Sequence, residues 1–173
     1  MFHRIAVCAA TAAFIALAGC TSDKEGDKCP AVSVLVDTAT YAMAQGNPAK
    51  LVYSAEITDA KGDCDVRKYD QHVNASVDIS FSATRASANA AATYTVPYFA
   101  AITTEGRVLA KGQYSVQLTF DPGQATTTGT ASLSSLSLTV GLDKKPTDYG
   151  ILVGFQLTKA QLDYNRRVGR FAP

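Results

Sequence analysis

The chain has 173 residues, 47% of them hydrophobic, and its 16 Lys+Arg against 15 Asp+Glu give a formal net charge of +1. Nothing in that balance suggests nucleic acid or an anionic surface as a partner. The length suits one ordinary domain rather than a string of them.

Met1-Phe2-His3-Arg4 is a short cation-bearing start, and an apolar run of fourteen positions follows from Ile5 to Ala18, interrupted by Thr11. A membrane-spanning helix needs about 20 apolar residues, whereas Thr21, Ser22, Asp23, Lys24 and Glu25 follow this run at once. A cleaved secretory signal over residues 1–19 therefore fits better than a span. The run closes on Leu17-Ala18-Gly19-Cys20, and the Cys at the cut makes it look like the lipobox of a bacterial lipoprotein signal. In such a signal this thiol takes a diacylglyceryl group and becomes the first residue. Two or three acyl chains, at about 0.8 kcal/mol per buried CH₂, anchor a globular domain stably. The expected address is the periplasmic side of the cell envelope, lipid-anchored through Cys20. Thr21 in place of Asp favours the outer membrane over the inner, by resemblance to enterobacterial sorting.

Residues 21–28 (Thr-Ser-Asp-Lys-Glu-Gly-Asp-Lys) carry no apolar side chain. With Cys20 they read as a lipidated Cys and tether over 20–28, reaching roughly 16 Å as a flexible coil. The domain proper is then 29–173. Arg4 is the only charged side chain lost with the signal, so 15 Lys+Arg balance 15 Asp+Glu in what remains. Cys8 leaves with the signal and Cys20 is the lipid site, so Cys29 and Cys64 are left in a compartment where disulfides persist. They are expected to pair; two separate thiols are the alternative. A thioredoxin-like redox pair would need Cys-x-x-Cys, which is absent.

From Cys29 the apolar period is two. Val32, Val34 and Val36 share one face, and Gln45-Gly46-Asn47-Pro48 is a turn. Leu51 to Thr58 alternates as a half-buried strand, and Asp59 to Asp65 reads as a polar loop. Val73, Ala75, Val77, Ile79, Phe81 and Ala83 alternate with polar residues in the clearest strand of the chain. Residues 84–93 read as a loop. Tyr94 to Ile102 is a strand whose Pro97 argues for an edge position or a bulge. Glu105-Gly106 turns the chain, and Lys111-Gly112 breaks the run before a strand from Tyr114 to Phe120. Residues 124–130 read as a polar mobile segment. Strands at Leu136–Val140 and Tyr149–Leu157 follow. The period then changes: Thr158 and Gln161 fit a capping box opening a short helix over 158–168, with Ala160, Tyr164 and Val168 on one face. Arg166, Arg167 and Arg170 fall near its C-terminal end, where positive charge suits the dipole.

About seven strands with no strand–helix alternation predict an all-β, antiparallel β-sandwich of immunoglobulin-like build with a short C-terminal helix, a small barrel being the alternative. The lipobox, Cys29-Pro30-Ala31-Val32, Cys64, Val96-Pro97-Tyr98-Phe99 and Ile151-Leu152-Val153-Gly154-Phe155-Gln156-Leu157-Thr158 running on through Asn165-Arg166 together resemble a group of alphaproteobacterial lipoproteins for which no activity is established. The resemblance implies the address and a single domain, and adds no catalytic residue.

Candidate chemistry is sparse. His72 is the one His left after processing; a Ser-His-Asp hydrolase would need it, but no Gly-x-Ser-x-Gly elbow is present and a strand-end His is the plainer reading. Asp59, Asp63 and Asp65, with Asp70 nearby, form a weak Ca²⁺ candidate; the spacing is not that of an EF-hand. Zinc is disfavoured, and no Gly-rich loop supports a nucleotide. No cofactor is implied. The tyrosines at 41, 53, 94, 98, 114 and 149 are expected in the core rather than on a glycan-binding face. Gln161, Asn165, Arg166 and Arg167 are either a partner-docking surface or the solvated face of a helix that holds a sheet edge. The expected function is that of a non-enzymatic structural or interaction module anchored to the membrane and touching another envelope protein. The alternative is a ligand-binding module for Ca²⁺, a glycan or a small molecule.

Overall fold

The computed structural model describes residues 29–67 and 71–168. The signal, Cys20, the tether, Asp70 and Arg170 lie outside the described residues. Eight strands run in chain order: β1 (Ala31–Val34), β2 (Thr40–Gln45), β3 (Lys50–Arg67), β4 (His72–Arg85), β5 (Ala92–Thr104), β6 (Arg107–Phe120), β7 (Thr126–Thr139) and β8 (Tyr149–Phe155), and one helix, α1 (Lys159–Val168), follows.

The strands form two four-stranded sheets, in the orders β1-β8-β5-β6 and β2-β3-β4-β7. All pairs are antiparallel except β1 with β8, whose four residues run parallel. The fold is thus an all-β sandwich with a short C-terminal helix. Its strand order differs from the immunoglobulin one: an immunoglobulin domain sets its first, second, fifth and fourth strands against the third, sixth and seventh, whereas here β2, β3 and β4 form a meander within one sheet.

Period-two burial builds the core. β4 sends Val73, Ala75, Val77, Ile79, Phe81 and Ala83 inward, and the facing sheet supplies Val96, Tyr98, Ala100, Leu118, Phe120, Ile151, Val153 and Phe155. The rings interlock across the two layers: Phe81 meets Tyr98 at 5.4 Å and Phe155 at 5.9 Å, and Tyr53 stacks on Tyr94 at 4.0 Å. Each such pair adds roughly 0.5–1.5 kcal/mol to the burial of the rings themselves.

Several expectations are corrected. Asp59–Asp65 is no loop: β3 continues through it to Arg67, with a bulge near Thr58. Residues 126–130 belong to β7, and Lys111-Gly112 lies within an unbroken β6. The strand β2 was not expected at all. Pro97 sits in a central strand, between β6 and β8. It is tolerated there because its carbonyl accepts from Gln156, the residue just past the end of β8. In an antiparallel ladder a residue's N–H and C=O point to the same neighbour, so the missing N–H faces the place where β8 has run out.

Candidate functional site

Chemistry-bearing and exposed apolar side chains gather at the two opposite ends of the sandwich. At one end α1 lies against β2. Its capping box closes as the sequence implies: Thr158 N–H donates to Gln161 Oε1 at 2.9 Å and Gln161 N–H to Thr158 Oγ1 at 3.3 Å. The helix is then fastened by its polar residues. Gln161 Nε2 donates to the Ala42 carbonyl at 2.7 Å, Asn165 Nδ2 to the carbonyls of Asp37 and Thr40 at 2.9 and 2.8 Å, and Arg166 Nε to the Asp37 carboxylate at 2.9 Å. Three of the four residues considered for partner docking are therefore engaged within the chain, holding the sheet edge; Arg167 is exposed. The apolar side of the helix packs less tightly. Ala160 and Tyr164 face Ala42, Ala44, Ala49 and Leu51 across an open groove of about 440 Å³.

At the same end Arg85 is 4% exposed, a buried cation bonded only to carbonyls. Its Nε donates to Gln124 at 2.8 Å, Nη1 to Ala90 at 2.6 Å, and Nη2 to Asp121 and Ala88 at 2.9 and 3.3 Å, while its carbon lies 4.9 Å from the centre of the Phe120 ring. The planar fork suits this task. It ties the β4–β5 loop to the β6–β7 turn.

At the other end the chain enters. Cys29 and Cys64 form a disulfide with a Cα–Cα distance of 5.7 Å. Cys64 packs on a small second core of Val73, Ile102, Leu138, Val140 and Tyr149. Beyond this core project the β5–β6 turn and the 141–148 segment. Lys144 reaches Glu105 across them, and Thr104 Oγ1 donates to the Asp148 carbonyl at 3.0 Å. The Lys144 ammonium holds the Glu105 carboxyl below the usual carboxylate range, with Arg107 adding to the effect, and Glu105 in turn raises Lys144. Val108, Leu109 and Leu142 stand exposed here, at 60%, 53% and 87%.

The remaining expected residues do not converge. Asp59, Asp63 and Asp65 are exposed on one strand. Same-face neighbours in a strand are about 6.6 Å apart, so the outer two lie some 20 Å from each other, far beyond one Ca²⁺ sphere with ligands at 2.3–2.6 Å. Asp59 pairs with Lys61 at 3.0 Å, which raises the lysine, and Asp63 accepts the Cys64 N–H at 2.8 Å. Among the described residues no group of three or more His, Cys, Asp or Glu is placed to hold a metal. His72 Nε2 lies 2.6 Å from Ser137 Oγ, a cross-strand contact between β4 and β7. Tyr41, Tyr53, Tyr98 and Tyr149 are buried, Tyr94 and Tyr114 half-buried. Burial, reinforced by Tyr41 and Tyr94, pushes the Tyr53 hydroxyl well up, and burial beside Tyr114 raises Tyr98.

The chain matches no protein-family model, no curated protein and no solved structure.

Arg85, the groove and the exposed apolar tip are the features that sequence reading passed over. Arg85 carries one signal: it closes β4 as the lone charge in a Ser- and Ala-rich stretch. Leu142 likewise stands alone between Gly141 and Asp143-Lys144-Lys145, where no strand period accounts for it.

Proposed function

We propose that this protein is a lipid-anchored envelope lipoprotein whose domain works by contact rather than by catalysis. The observation that carries the reading is the Cys29–Cys64 disulfide at the point where the chain enters the domain. A structural disulfide belongs to an oxidising compartment, which agrees with the signal-type start and the Cys20 that precede it. The short polar tether would keep the domain near the membrane, on the periplasmic side, and Thr21 favours the outer membrane. The partner is another envelope protein.

The test is metabolic labelling of the full chain with an alkynyl fatty acid, followed by fractionation and in-cell crosslinking, with Cys20→Ser alongside. Label and membrane recovery lost in Cys20→Ser, with an anchor-dependent crosslinked protein, are the expected results. An unlabelled wild-type protein in the soluble fraction would overturn the anchoring, and an anchored protein recovered alone would overturn the contact role.

One observation favours a second reading. The groove beside α1 falls in the size range of small-molecule sites, roughly 300–1,000 Å³, and its lining is mostly Ala, Leu and Tyr. On this reading the sandwich is a binding module for a small apolar molecule. A rise in melting temperature with such ligands, abolished by Leu51→Glu, would support it; identical melting of both proteins in every ligand would end it.

A further inference from the structure

We infer that the entry end of the sandwich, through Val108, Leu109 and Leu142, lies in the interface of the bilayer that holds the anchor, so that the domain stands upright on the membrane. The inference rests on the anchoring proposed above and specifies what the domain does with it.

The placement follows from the strand register. β1 leads away from Cys29, with Ala31 opposite Gly150 of β8, and Gly150 is opposite Thr103 of β5. Thr103 and Thr104 run directly into the Glu105-Gly106 turn, and Arg107 and Val108 are their partners on β6. Chain entry, β5–β6 turn and the segment before β8 therefore share one end. Nine chain steps lead from Cys20 to Cys29, which as a coil would span about 15–18 Å. The far end, marked by Arg85, lies a full 14-residue strand away, about 45 Å. A lipid on Cys20 thus brings this end, and not the groove end, to the surface.

The chemistry there suits an interface. Two exposed aliphatic side chains on β6 and one on the 141–148 segment are gathered on segments clamped together by the Lys144–Glu105 pair and the Thr104–Asp148 bond. Arg107, Lys111, Lys144 and Lys145 accompany them. Long cationic side chains keep their heads in the headgroup layer while their stems cover apolar surface, and Lys111 already lies over the Phe99 ring at 4.1 Å. Glu105, Asp143 and Asp148 offset most of this charge, so the contact is chiefly apolar and should vary little with anionic lipid content. A protein seated on the same tip is the competing occupant.

The experiment places an environment-sensitive fluorophore on the lipidated full-length protein at Leu109→Cys, at Leu142→Cys and, as the far-end control, at Ser87→Cys. Each is reconstituted in phosphatidylethanolamine–phosphatidylglycerol vesicles containing lipid-borne quencher. The expected result is a blue shift and strong quenching at 109 and 142 and neither at 87. A second expected result is that Val108→Asp with Leu142→Asp removes quenching at 109 while the protein stays in the vesicle pellet. Pelleted protein with water-like emission at 109 and 142 overturns the inference and leaves the anchor intact. A blue shift without lipid quenching overturns it in favour of a protein occupant. Protein that is not acylated and does not pellet overturns the anchor and the inference together.

Discussion

Arg85 shows how much one side chain can organise. Four backbone carbonyls from two separate loops converge on its guanidinium. Arg85→Ala strands those acceptors in a buried site, and a cost of about 3 kcal/mol is expected, read as a shift of the urea midpoint at unchanged slope. Arg85→Lys should recover less than half of it, because an ammonium lacks the planar fork. Asn165 is the equivalent on α1. Asn165→Ala frees two carbonyls at the helix seat and should cost about 1–3 kcal/mol; Asn165→Asp, which turns an acceptor toward them, should cost more. Faster amide exchange in α1 is the accompanying signature. An undisturbed α1 in Asn165→Asp would mean the helix is held by something else. At this scale the sequence spoke unevenly. Thr158 and Gln161 announce a capping box because both partners lie within four residues. What Arg85 and Asn165 do was hidden, since their acceptors are backbone groups up to 128 residues away, and a backbone carbonyl has no identity in a sequence.

Elements were legible where one face alone is apolar. β4 displays its period of two because every inward residue fills core. β3 was cut short at Asp59 because Asp, Lys and Gly are poor strand formers; the strand persists because β4 pairs with it to Arg67 and its polar side chains face water. The start of β7 shows no apolar period for another reason. Its half-buried positions are Thr127, Gly129 and Ala131, and a Cβ at Gly129 would meet Leu118. The volume is filled from the facing sheet, so small residues serve. Gly154 is the same device on β8: a Cβ there would run into Thr38 and Phe99. Gly154→Ala should lift the 36–38 turn and with it the seat of α1, at roughly 1–3 kcal/mol. A calorimetric melt as high as wild type would refute that packing. The clamp between the β5–β6 turn and the 141–148 segment depends on charge. Glu105 has its carboxyl lowered by Lys144 and then by Arg107, so the contribution is present above the ordinary carboxylate range and lost as pH falls through the lowered value. Lys144 is raised by Glu105, so at the alkaline side its share is present below the ordinary lysine value and lost only above it. The protection factors of the Gly141–Lys145 amides, with the intrinsic pH dependence of exchange divided out, should stay level through neutral pH and fall on the acid side as Glu105 takes up its proton; Glu105→Gln should remove the acid-side change.

The whole molecule is a sandwich with unlike ends, one holding the groove and the helix, the other the disulfide and the chain entry. The two-layer plan could be read from periodicity alone. The division into ends could not, because it depends on the order in which strands lie side by side, and turns do not encode that. The bridge closes a separation of 35 residues, for which chain entropy gives about 4 kcal/mol. Cys29→Ser with Cys64→Ser should lower the unfolding free energy by up to that amount, and reductant should reproduce the loss in the wild type while leaving the double variant unchanged.

The same bridge decides how the domain would bear a pull. Tension arriving along the chain ahead of Cys29 crosses the sulfur atoms to Cys64 and is taken up by β3, which β4 pairs from Tyr53 to Arg67, with Cys64 opposite Ala75. The short ladder of β1 with β8 is bypassed and carries no load. Once the sulfurs are reduced, those four parallel pairs become the first thing to give. A tethered domain of this design would hold its shape against drag while oxidised and slip at its first strand when reduced, a difference a force spectrometer would register as a short early extension.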